Sequence, residues 1–348
     1  MSSLRRTMLC AAVAGGITLA AASACSSSSS SPSSTTPSSS SSTPASSTAS
    51  ASPAASGGKF TIALVPGDST DPFYLSMEAA ASAEAAKLGM GFIFEGAPAF
   101  SPEAQQPVLA ALLARHPSAL LVAPTDPVAV TGTLQQFKSA GIPIITVDTT
   151  ITDTSILTSR ITSNNTQGGS AAADACGAVM KGSGTAAVIY TTPGTTTTNA
   201  RGQGFIAEMK AKYPGITVVT EYDNNTESTA ATQVSSLLLA HPNLGCVFGT
   251  NDYAAEGAAT AVDDAHDQSK VTIAGYDAEP QMVTLLKNGT INIIIAQKPA
   301  LEAQMAVEYA YDALTGKTTG IPASVQLPNV TMSKANISQA SVAQWIYK

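Results

Sequence analysis

Acidic and amide side chains recur in this 348-residue chain at one kind of place, shortly after runs of aliphatic residues. Asp68 and Asp71 follow residues 61–65, Asp126 follows 119–123, and Asp148 follows 143–147. Asn251 and Asp252 come after 246–249, Asp277 after 271–274, and Gln297 after 291–295. An ionised carboxylate accepts several hydroxyl donors through charge-assisted bonds, while an amide both donates and accepts. Asp71, Asp148 and Asp277, with Asn199, Asn251 and Gln297, would together satisfy a molecule rich in hydroxyls. Phe73, Tyr74 and Tyr276 stand beside them in sequence, and flat rings suit the C–H faces of such a molecule. The set points to a small neutral sugar or polyol as ligand, with no cofactor.

Each of these side chains also has a purely structural use. Asp126 and Asp252 read equally well as helix N-caps, and Asp71 precedes Pro72, a residue suited to the first turn of a helix. Phe73 has the makings of an ordinary core residue, whereas Tyr74 would keep a polar tip at a cleft. No convincing helix starts directly after Asp148 or Asp277, so capping does not account for them.

The elements that must position these residues alternate. From Lys59 onward, short β-rich runs exchange with longer Ala-rich helical stretches, the pattern of βαβ units and parallel sheets. Strands are expected at 61–65, 119–123, 143–147, 186–190, 216–220, 246–249, 271–274 and 291–295, with a first helix over 71–88 that stops before Gly89. The pattern also repeats. Leu112-Leu113-Ala114-Arg115-His116-Pro117, then a strand, then Thr125-Asp126, is echoed by Leu237-Leu238-Leu239-Ala240-His241-Pro242, a strand, and Thr250-Asn251-Asp252. Val147-Asp148 is likewise echoed by Tyr276-Asp277. Two similar α/β lobes in sequence follow from this. The length agrees, since some 290 residues exceed what one core usually serves. Ligands of open parallel sheets bind outside the carboxyl ends of the strands, which is where the polar residues fall.

The ends and the charge bound the setting. Arg5 and Arg6 precede a short apolar stretch and then small residues, which reads as an export signal over 1–24. Ala22-Ser23-Ala24-Cys25 resembles the lipobox of bacterial lipoproteins, in which the cysteine is acylated and becomes the membrane anchor. An ordinary cleaved signal is the alternative, and either places the fold outside the cytoplasm. Residues 25–58 are Ser, Thr, Pro and Ala rich, with no large aliphatic or aromatic side chain, and read as a disordered tether reaching about 30 Å. A net charge of −7 with no basic run excludes nucleic acid as a partner.

Taken in order, the landmarks resemble the ribose and galactose type of periplasmic sugar-binding protein, a type I solute-binding lipoprotein of ABC importers. They are Asp71-Pro72-Phe73-Tyr74, Pro124-Thr125-Asp126, Val147-Asp148, Asn164-Asn165 with Gly168-Gly169, Arg201-Gly202-Gln203-Gly204-Phe205, His241-Pro242 with Asn251-Asp252, Gly275-Tyr276-Asp277, and Ile295-Ala296-Gln297. The resemblance implies two Rossmann-like lobes with parallel sheets, joined by a three-segment hinge. It assigns 59–162 plus 298–326 to lobe one and 163–297 plus 327–348 to lobe two, with crossings near Thr162, Gln297 and Gln326. It implies ligand contacts at Asp71, Phe73, Tyr74, Asp148, Asn199, Asn225, Asn251, Tyr276, Asp277 and Gln297, a monomeric receptor, and an ABC permease as partner. Thr149 and Asn199 stand where ribose-binding members carry Arg, which puts ribose itself in doubt.

Two other classes stay in view. A sensor receptor would use the same cleft with a signalling partner in the membrane. An extracytoplasmic hydrolase is a distant alternative, because no Gly-x-Ser-x-Gly turn is present and no catalytic residue is nominated. No metal site is expected, since His116, His241 and His266 lack ligand spacing. Cys176 and Cys246 remain in the mature fold, and an oxidising compartment makes a disulfide between them a hypothesis.

Overall fold

The structure, a computed structural model, describes residues 59–347. The export signal, the anchor candidate Cys25 and the tether lie outside the described residues.

Lobe one begins with β1 (Thr61–Val65), α1 (Pro72–Lys87), β2 (Gly91–Phe94), α2 (Pro102–Ala114), β3 (Ala119–Val122), α3 (Thr131–Ser139), β4 (Ile144–Val147) and β5 (Ser159–Ser163). Lobe two follows as α4 (Asn165–Met180), β6 (Gly184–Tyr190), α5 (Thr196–Lys212), β7 (Ile216–Tyr222), α6 (Glu227–Ala240), β8 (Leu244–Gly249), α7 (Asp252–Asp264), β9 (Thr272–Tyr276), α8 (Pro280–Asn288) and β10 (Ile293–Ala296). The chain then supplies α9 (Pro299–Leu314), β11 (Val325–Leu327), β12 (Val330–Ser333) and α10 (Ala340–Ala343).

The strands form two six-stranded sheets, ordered β2-β1-β3-β4-β5-β11 and β7-β6-β8-β9-β10-β12. Position by position the orders match, which is the internal echo realised in space. All pairings are parallel except β10 with β12. Central strands are covered on both faces, so their sequences run continuously apolar instead of alternating; β3 and β4 are buried throughout. Four strands were not foreseen, among them the short β2, Gly-Phe-Ile-Phe. β5 is Ser-Arg-Ile-Thr-Ser, burying every second residue, and β11 and β12 are short, partly exposed edge strands.

The chain passes between the sheets three times. It leaves the first after Ser163, which pairs with Leu327, and returns after β10 through Gln297 and Lys298 into α9, which packs on α1 and under β3 to β5. The last passage lies two residues beyond Gln326: Leu327 still belongs to the first sheet while Val330 pairs with Ala296 in the second, leaving Pro328 and Asn329 between them. Cys176 of α4 and Cys246 of β8, both fully buried, are joined by a disulfide with Cα atoms 5.8 Å apart. Among the described residues no helix is long and apolar enough to cross a membrane.

Candidate functional site

The carboxyl ends of the two sheets face each other across a small cavity of about 40 Å³. Lobe one contributes Asp71, Phe73, Tyr74, Phe100 and Asp148. Lobe two contributes the threonines around the start of α5, Arg201, and then Asn225, Asn251, Asp252, Asp277 and Gln297 from the ends of β7 to β10.

Asp71 performs both of the tasks its sequence suggested. It is the N-cap of α1, with one oxygen accepting Phe73 N–H at 2.8 Å, and it lines the cavity. Asn251 does the same for α7, accepting Ala254 N–H at 3.1 Å while its amide donates to Asn225 Oδ1 at 2.9 Å. Asp126 is a local cap alone, accepting Val128 and Ala129 N–H, and is not among the cavity residues. Asp252, for which capping was one of two readings, is the first residue of α7, behind the cap Asn251, and lines the cavity.

Asp148 and Asp277 occupy matching places after β4 and β9, and both have left-handed backbones, with φ of 58° and 74°. Few non-glycine residues adopt this conformation; Asp and Asn do so at the lowest steric cost. The turn sends each carboxylate into the cleft instead of continuing the strand. Tyr74 Oη donates to Asp148 Oδ2 at 2.7 Å, and Gln297 Nε2 donates to Asp277 Oδ1 at 2.7 Å.

Between the two aspartates lies Arg201, 2 % exposed. Its Nε donates to Asn165 Oδ1 and one terminal nitrogen to Thr250 O, both at 2.8 Å. The guanidinium lies 3.9 Å from Asp148 Oδ1 and 3.9 Å from Asp277 Oδ2. These distances permit attraction but exceed hydrogen bonds. Its Nη2 and the Oε1 of Gln297 are buried without a partner. Such atoms cost free energy unless a ligand or water meets them.

Burial dominates the acid–base chemistry. It pushes Asp71 up to about 8, with the charge of Asp277 adding to the shift. It raises Asp148 to about 6 against the opposing pull of Arg201 and of the Tyr74 hydrogen bond. Asp277 and Asp252 are raised as well, chiefly by burial. Among the described residues no group of three or more acidic, His or Cys side chains is arranged to hold a metal ion.

Two expected contacts are displaced. Asn199 is not among the cavity residues: α5 starts at Thr196, so Thr197, Thr198 and Arg201 share the face toward the cleft and Asn199 is rotated off it. Tyr276 is not there either. Its ring is fully buried in the second lobe, 3.8 Å beneath the Arg201 guanidinium, and supports that cation from behind. Arg201 stood in the sequence only as a landmark, and its single positive charge among cleft aspartates was the available signal. Phe100 and the threonines carried none.

Residues 62–318 match the periplasmic binding protein domain family. The ribose import binding protein of Bacillus subtilis is 30 % identical over 270 residues, covering 76 % of this chain and 86 % of that protein. An ABC transporter solute-binding protein of Agrobacterium vitis, solved with α-D-tagatopyranose, is 39 % identical with a TM-score of 0.80, over 83 % of this chain and all of that one. A carbohydrate transporter solute-binding protein of Agrobacterium radiobacter, solved with D-arabinose, is 28 % identical with a TM-score of 0.76, over 82 % of this chain and 98 % of that one.

Proposed function

Because the chain belongs to the periplasmic binding protein family, we propose that it is an extracytoplasmic receptor that closes two lobes on a neutral monosaccharide or polyol and delivers it to an ABC importer. One observation carries this reading: the cavity between the lobes is walled by carboxylates and amides, with Arg201 Nη2 and Gln297 Oε1 buried and unmatched beside it. A polyhydroxylated ligand supplies donors to the first and an acceptor to the guanidinium without bringing a charge of its own. The sugars bound by the relatives agree with that chemistry. The site assignment is Asp71, Phe73, Tyr74, Asp148, Asn225, Asn251, Asp277 and Gln297, with Arg201, Asp252 and the α5 threonines added. The relatives are binding proteins of transporters, and capture rather than turnover is the role that fits this chain.

The test is a thermal-shift titration with D-ribose, D-tagatose, D-arabinose and myo-inositol, repeated with Asp148→Ala and Asp277→Ala. A sugar at one hundred times its dissociation constant adds about 2.7 kcal/mol, and both variants should abolish the shift. A shift retained in both variants, or produced only by amino acids, would remove the reading. We further propose that Cys25 is acylated and holds the protein at the membrane surface. Labelled palmitate should enter the wild-type protein and be lost in Cys25→Ser; incorporation that persists in the variant sinks the anchor.

A further inference from the structure

The far end of the chain packs behind the cavity wall formed by Asp277 and Gln297. After α10, Tyr347 N–H donates to Ala278 O at 3.0 Å, which seats the penultimate residue against the loop that follows β9. Its hydroxyl then donates to Asp277 Oδ1 at 2.8 Å and accepts Gln297 N–H at 3.1 Å. The phenol is buried, and its ring meets Phe73 of lobe one at 5.9 Å between centroids. Trp345 lies under Lys298 Nζ, 4.5 Å from the ring centroid, so the same tail also touches the second passage between lobes.

These contacts limit what this wall can offer a ligand. Asp277 Oδ1 already accepts both Tyr347 Oη and Gln297 Nε2, while Oδ2 faces the Arg201 guanidinium at 3.9 Å, beyond hydrogen-bonding distance. Gln297 donates one of its two side-chain N–H groups to Asp277, and its Oε1 has no hydrogen-bond partner. Oδ2 and Oε1 are acceptors, and the second N–H of Gln297 remains a donor. The two donors on Oδ1 offset part of the upward shift that burial gives Asp277 and hold the carboxylate plane fixed. Without the phenol, the carboxylate could rotate and the Gln297 backbone N–H would lose its acceptor.

We propose that Tyr347 is a positioning residue of the ligand site, locking the orientation of Asp277 and Gln297 so that this wall selects a ligand hydroxyl and discriminates against the sugar lacking it. This rests on the sugar-receptor reading above. Selectivity of this kind is strong because an absent hydroxyl leaves buried acceptors unpaired. Tyr347 lies 70 residues from Asp277 and 274 from Phe73, so it was invisible as a site residue in the sequence.

The test uses calorimetric titration of the intact protein and of Tyr347→Phe, which keeps the ring against Phe73 and deletes both hydroxyl contacts. The probes are D-ribose, D-tagatose and D-arabinose, followed by the monodeoxy derivatives of whichever binds. The expected result is affinity about ten-fold weaker in the variant, together with loss of discrimination at one hydroxyl position and retention at the others. Affinity within two-fold of wild type overturns the proposal, as does an equal loss of discrimination at every position, which would mark general loosening. If none of the three sugars binds the wild-type protein, the receptor reading fails for them, and amide exchange of the sugar-free protein decides the tail separately. Exchange at the Gln297 amide about ten-fold faster in Tyr347→Phe supports the positioning contact, and unchanged exchange overturns it.

Discussion

At the scale of single residues the cavity is a ring of carboxylates around one guanidinium, and the imbalance has a measurable sign. Burial raises Asp71 and Glu302 each to about 8 and Asp148 to about 6, all above the ordinary carboxylate range near 4. Between those limits the folded protein binds protons that the unfolded chain has lost, so stability falls as pH rises through this window. The thermal midpoint of the sugar-free protein should therefore drop between pH 5 and pH 8, and Asp71→Asn should flatten that slope. Sugar hydroxyls donate best to ionised carboxylates, so the ligand-induced shift should grow over the same range. A sugar-free midpoint that rises from pH 5 to pH 8 would contradict the assignment of these groups as buried acids. Glu302 has a particular place here: it accepts Ser163 Oγ at 2.8 Å and Asp148 N–H at 3.2 Å, tying a cleft residue to the first passage between lobes.

At the scale of elements, the contact between α4 and α5 decides where Arg201 can be. Gly169 of α4 lies so close to α5 that an added Cβ would sit 1.8 Å from the Arg201 carbonyl oxygen, and one at Gly168 would sit 1.8 Å from the Tyr276 hydroxyl. The two helices approach backbone to backbone because Gly169 carries no side chain. Gly169→Ala should destabilise the protein by about 1–3 kcal/mol despite the better helix propensity of alanine, and should weaken sugar binding by shifting Arg201. Gly132→Ala on α3, where a Cβ meets nothing within 4 Å, is the matched control and should be neutral or stabilising. Thermal denaturation of the two variants checks this, and equal midpoints would mean that α5 has room to move.

At the scale of the whole molecule, two sheets of the same strand order are joined by three passages, and the cavity residues are divided between them. A ligand gripped from both sides favours the closed arrangement by as much as it prefers both walls to one, which is how binding becomes a shape an importer can recognise. Much of this was legible along the chain. Alternating β and helical runs, the echo of His116-Pro117 at His241-Pro242, and aspartates placed after strands are local features, and parallel sheets put those strand ends on one side by rule. Asp71, Asp148 and Asp277 were found in this way because their position depends only on where a strand stops. Tertiary structure alone decided which way neighbouring side chains face. Asn199 turns away while Thr197, Thr198 and Arg201 turn in, because the start of α5 sets the rotation of its face. Tyr276 goes beneath Arg201 because Gly168 leaves room on that side of β9. Tyr347 reaches Asp277 because the C-terminal tail docks against the loop after β9. Strand ends follow from local pattern, but side-chain direction and long-range docking follow from which surfaces meet, and no spacing along one chain carries that information.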